Sequence, residues 1–143
     1  MATEERVQIA IDNWAPRFLA NGLDPNDFQR VTKRIERWDD WSQEWSECAA
    51  MHERMGEDAE AQRCYQSAAH HYFHAAITYH FGKFLFVHRP EELRMAHDHV
   101  VRSYQKALPY FDFPGERVVI PYEGGATMYG ILRKPWHTPK PPV

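Results

Sequence analysis

The stretch Pro114-Gly115-Glu116-Arg117-Val118-Val119-Ile120-Pro121-Tyr122-Glu123-Gly124-Gly125-Ala126-Thr127-Met128-Tyr129-Gly130-Ile131 decides how this chain is built. Before it, apolar residues recur at helical spacing; within it the period changes to two. Val118, Ile120 and Tyr122 alternate, Gly124-Gly125 makes a turn, and Thr127, Tyr129 and Ile131 alternate again, which predicts a β-hairpin. A lone two-stranded hairpin is marginal in water and leaves two unpaired edges. Either helices cover one of its faces or a further sheet belongs with it, and the expectation is the further sheet.

Upstream, Pro90 followed by Glu91-Glu92 has the proline and first-turn acids of a helix start, and Leu93, Ala96, Val100, Tyr104 and Leu108 carry the stripe to Pro109. The stretch from Ala59 to about Phe86 is apolar over much of its circumference, as in a helix packed on more than one side. A third helix starts at Asp39 or Asp40 and places Trp41, Trp45, Cys48, Ala49, His52 and Met55 on one face, with Gly56 as its expected stop. Asp24-Pro25 supplies an N-cap and a first-turn proline for a short helix carrying Phe28, Val31 and Ile35. The first helix spans residues 4–19 and stops near Asn21-Gly22.

The expected fold is therefore mainly α: an antiparallel helical bundle over 1–113, a C-terminal β-hairpin over 114–134, and an extended Pro-rich tail over 135–143. With 143 residues and 43% hydrophobic content, the chain is long enough to bury a core. A net charge of −3 without a basic stripe argues against nucleic acid, and no apolar run reaches the length of a membrane span. A soluble, cytoplasmic protein is expected, with Cys48 and Cys64 both read as buried free thiols.

Four runs carry a family resemblance: Arg37-Trp38-Asp39-Asp40-Trp41-Ser42-Gln43-Glu44-Trp45, Tyr79-His80-Phe81-Gly82-Lys83-Phe84-Leu85-Phe86-Val87-His88, Tyr104-Gln105-Lys106-Ala107-Leu108-Pro109-Tyr110, and Pro114 to Gly124. In this order they resemble the N-terminal part of the bacterial α/β-hydrolases of the 2,6-dihydroxypseudooxynicotine hydrolase type. The resemblance implies that the helices form a cap over an active site and that the hairpin begins an α/β-hydrolase sheet. It implies a small, aromatic or ketone- or ester-type substrate held between cap and core, with hydrolysis of a carbon–carbon bond or an ester.

The partner it implies is an α/β-hydrolase core, missing from this stretch or separate. The nucleophile elbow G-x-S-x-G and the other triad members lie downstream in that family. Ser42, Ser46, Ser67 and Ser103 all fall within helical patterns, so no catalytic residue is assigned.

Tyr79, His80, Lys83 and Phe84 form the densest aromatic and basic cluster and are the candidate lining of a substrate pocket. His70 and His74 share a helix face, but His71 stands where an H-E-x-x-H motif needs Glu, so neither a metal nor a cofactor is assigned. Trp38, Trp41 and Trp45 are read as core, and Glu123-Gly124-Gly125 is too short for a phosphate loop. Unpaired hairpin edges would also allow a homo-oligomer. The alternative is a tetratricopeptide-like protein-binding module, but Tyr65 and Tyr104 are not separated by the repeat length of about 34 residues.

Overall fold

The computed structural model of the chain describes residues 3–85 and 87–134. The tail expected over 135–143, and Phe86 of the aromatic run, lie outside the described residues. Five α-helices precede one hairpin among them: α1 (Glu5–Ala20), α2 (Pro25–Thr32), α3 (Trp41–Ala61), α4 (Tyr65–Phe84), α5 (Pro90–Ala107), β1 (Gly115–Pro121) and β2 (Thr127–Arg133). The chain is mainly α with a C-terminal antiparallel hairpin, as the change of period predicts. No helix among the described residues is long and apolar enough to cross a membrane.

Local chemistry sets most of the boundaries. Gly22 adopts φ +93°, a left-handed conformation that closes the last turn of α1, with the Leu23 amide donating to Phe18 O at 3.2 Å. The Asp24 carboxylate then accepts from the Asn26 and Asp27 amides at 2.7 and 3.2 Å, capping α2. These bonds, led by the one from Asn26, hold its carboxyl below the usual range.

Three expectations are corrected. Gly56 does not stop α3: the helix runs through it to Ala61, because residue 56 is buried against the ring of Tyr72, where a Cβ would stand 2.6 Å from Cδ1. Nor does α4 begin at Ala59. The break falls over Gln62, Arg63 and Cys64, where Arg63 takes φ +59°, and the next helix starts at Tyr65. Cys48 is buried as expected, but Cys64 is exposed, because the break carries it off the packed helix faces.

The core gathers where α1, α2, α3 and α4 meet. Phe18 stacks on Phe81 with ring centroids 3.8 Å apart and meets Trp41, Trp45 and Phe28 edge-on. Trp41 and Trp45 are fully buried, and the Trp41 indole donates to Phe81 O at 3.2 Å, which satisfies its polar atom. Trp38 stacks on Trp41 at the margin of this cluster. Burying side chains of this size stabilises by about 1.5–3 kcal/mol each. Ala49, Ala68, Ala75 and Ala107, all buried, let α3, α4 and α5 approach closely.

In the hairpin, Val118 pairs with Gly130, Val119 with Tyr129 and Ile120 with Met128. Gly124 and Gly125 take φ +68° and +79°, which an L side chain adopts only with strain. Alternation puts Gly115, Arg117, Tyr129, Ile131 and Arg133 on the face toward the helices. A Cβ on Gly115 would stand 2.8 Å from Leu108 Cδ2, so glycine is what lets the first strand leave the bundle so closely. The opposite face carries Val118, Ile120, Met128 and Leu132, the last three exposed to solvent.

Candidate functional site

The hairpin's inner face and α5 enclose a cleft of about 820 Å³, lined by Val100, Val101, Tyr104, Arg117, Tyr129 and Ile131 among others. Alternation in the strands and helical spacing in α5 aim these residues at one another. The Arg117 guanidinium lies 3.6 Å above the Tyr129 ring, a cation–π contact that fixes both side chains. Arg133 donates to the Tyr104 hydroxyl at 3.1 Å and covers Phe111 at 4.5 Å, which ties the second strand to the helices. Val100 and Tyr104 also line a smaller recess of about 190 Å³ with Phe73, Ile77 and His80. The combined surface has aromatic and aliphatic walls with the Arg117 guanidinium on the hairpin side and Asp98 and Arg102 on the α5 side.

The four residues expected to line a pocket are dispersed over separate surfaces. His80 borders the smaller recess, its ring against Phe81 and Phe84. Desolvation there, with help from the charges of Lys83 and Arg17, presses its pKa below the usual histidine value. Lys83, half-buried, is likewise lowered by desolvation.

Phe84 faces α1, edge-on to Trp14 at 5.0 Å and under the Arg17 guanidinium. Tyr79 points the other way, buried between α3 and α5, where it stacks on His99 at 4.6 Å and donates to Glu53 Oε2 at 3.3 Å. Burial first, and the Glu53 charge second, push its hydroxyl pKa upward. Sequence reading missed Tyr104, Arg117 and Tyr129 as cleft residues. The signal was present in the strand alternation, which sets Arg117 and Tyr129 on one face.

A second gathering lies between α2, α3 and α4. Asp27 is 5% exposed although it is an acid, and it receives Arg30 Nη2 at 2.5 Å and shares a 2.6 Å hydrogen bond with His52 Nε2. Arg30 Nη2 also reaches Cys48 Sγ at 3.6 Å. Desolvation raises the Cys48 thiol pKa, so the sulfur is protonated rather than nucleophilic. The His52 ring neighbours His71 and His74 at 5.9 and 5.6 Å, and His74 lies 4.3 Å from His70. Desolvation lowers the pKa of both His71 and His74. The four serines all lie within helices, where none has the exposed turn geometry of an acyl-transfer nucleophile.

A family model described as Esterase FrsA-like matches residues 21–143. Among solved structures, the chain is similar to the crystal structure of the 2,6-dihydroxy-pseudo-oxynicotine hydrolase, with a TM-score of 0.72 and 24% sequence identity. The match covers 85% of this chain and 34% of that one, so the chain spans about a third of that enzyme's length. At this identity the likeness is one of fold. No curated protein matches the chain.

Proposed function

The chain belongs to the FrsA-like esterase family, and from that premise we propose that it is the helical cap portion of an α/β-hydrolase. The catalytic core, in the same polypeptide or a separate one, supplies the nucleophile, the oxyanion hole and the general base. The observation that carries this reading is the outer face of the hairpin, where Ile120, Met128 and Leu132 stand 42%, 46% and 40% exposed on a strand pair with no further strand beside it among the described residues. An apolar sheet face of this kind is stable when another layer covers it.

In this arrangement residues 1–113 form the cap and the hairpin is the first element of the core. The substrate is small, of aromatic or ketone or ester type, and the cleft between α5 and the hairpin binds it. Tyr104 and Tyr129 stack on its ring, Arg117 orients its electron-rich end, and His80 reaches it from α4 at the edge. Lys83, Phe84 and Tyr79 shape the helix that presents His80. The core then hydrolyses an ester or a carbon–carbon bond. The tetratricopeptide-like alternative rests on the small and aromatic patterns around Ala68-Ala69-Tyr72 and Tyr104-Ala107-Leu108, which the packing of α4 against α3 and α5 in a cap needs equally.

The intact mass of the polypeptide in its source cells tests the proposal. The expected result is a mass above the 16.9 kDa of this chain by a domain of about 200 residues, or a stoichiometric complex with a separate α/β-hydrolase subunit. A 16.9 kDa species without such a subunit overturns it.

A further inference from the structure

The residues around Asp27 do more than pair charges. One carboxylate oxygen of Asp27, the sulfur of Cys48 and a ring nitrogen of His52 lie within 4.8 Å of one another. In a tetrahedral zinc site, bond lengths near 2.0 Å to O and N and 2.3 Å to S put neighbouring ligand atoms about 3.3–3.6 Å apart. Small side-chain rotations therefore reach ligation geometry. The three come from two helices whose backbones are already fixed, Asp27 on α2 and Cys48 and His52 one turn apart on α3.

We propose that Asp27, Cys48 and His52 bind one divalent metal ion of the zinc class, and that the Arg30 guanidinium is the cation that occupies this place when the ion is not bound.

One further observation supports the assignment. Arg30 Nη2 spans Asp27 and Cys48, at 2.5 and 3.6 Å, so a positive group stands where the ion would. Its side chain is 47% exposed and can withdraw into solvent.

The donor set selects the metal. A thiolate with an imidazole and a carboxylate suits zinc, whereas magnesium and calcium take oxygen ligands. Carboxylate and thiolate together balance a double positive charge. On binding, the Cys48 thiol proton passes to solvent, His52 ligates as the neutral imidazole with its one ring proton on Nδ1, and Arg30 moves out. The fourth position opens on a recess of about 460 Å³ bordered by Arg30, Met51 and Arg54, where water or a small anion completes the shell. The pair His70, exposed, and His74, half-buried, offers only two imidazoles on one helix.

Cobalt(II) titration of the full chain, read by absorption, tests the site. The expected result is one Co²⁺ per chain with a sulfur-to-cobalt charge-transfer band that Zn²⁺ displaces, lost in Cys48→Ser and kept in Cys64→Ser. His52→Gln is expected to weaken binding by about tenfold or more. Absence of the band in the wild type, or its survival in Cys48→Ser, overturns the proposal, as does binding that only His70→Gln removes. Should Cys48→Ser fail to fold, Arg30→Met decides: removal of the competing cation is expected to tighten cobalt binding, and unchanged or weaker binding overturns the site.

Discussion

Gly56 lies against the ring of Tyr72 so closely that a Cβ at residue 56 would stand 2.6 Å from Tyr72 Cδ1. The ring cannot yield easily, since Tyr72 is fully buried and its hydroxyl donates to Glu60 Oε2 at 2.6 Å. In an isolated helix Gly→Ala stabilises by about 1 kcal/mol. Here overpacking opposes it at about 1–3 kcal/mol. Gly56→Ala is expected to lower the urea midpoint, and an unchanged or higher midpoint would show that Tyr72 moves aside.

Glu60 receives hydrogen bonds from the Tyr110 and Tyr72 hydroxyls at 2.5 and 2.6 Å, and these hold its carboxyl below the ordinary glutamate range. The folded-state pKa is lowered, so the contribution is present above the unfolded-state pKa and is lost as pH falls through the folded one. Glu60→Gln is expected to cost about 1 kcal/mol at neutral pH and to flatten the acid limb of stability against pH. Chemical denaturation between pH 3 and 7 checks it; parallel curves for the two proteins would contradict the assignment.

Phe18 is the fully buried aromatic of α1, touching the rings of Phe28, Trp41, Trp45, Phe81 and Phe84. Phe18→Ala should destabilise the chain by about 3–5 kcal/mol, a large share of the whole stability of such a domain. Its neighbour Leu19, 39% exposed, serves as control: Leu19→Ala is expected to stay within about 0.5 kcal/mol. Thermal melts of the two variants separate the cases.

The outer face of the hairpin predicts behaviour in solution. Without a covering layer, the chain should self-associate as its concentration rises. Ile120→Lys combined with Met128→Glu places opposite charges on directly paired residues, so the hairpin is kept while the patch is removed. Sedimentation velocity is expected to show concentration-dependent association for the wild type and a monomer for the double variant. A wild type that stays monomeric at high concentration would mean this face needs no cover.

Local chemistry made much of the fold legible. Asp24-Pro25, Asn21-Gly22, Pro90-Glu91-Glu92 and Gly124-Gly125 each act through neighbours a few residues away, so their effect is readable in a line of sequence. Helical spacing likewise marked Trp41 and Trp45 as core, and period two marked the hairpin. Gly56 was misleading because a glycine that ends a helix and one that admits a tyrosine ring look alike until the ring's position is known. Tyr79 and His80 are adjacent in sequence, yet a helix turns consecutive side chains by about 100°, which sent one to Glu53 and the other to the recess beside Tyr104.

Sequence by itself determined the helical class, the strand pair and the family, because periodicity, capping and ordered motifs are properties of neighbouring residues. Only the tertiary structure decided which side chains share a site. Asp27 meets His52 across 25 positions and Arg133 meets Tyr104 across 29. Such pairs form through helix packing and strand register, where small shifts in crossing or register bring different residues together, and no local pattern records the outcome.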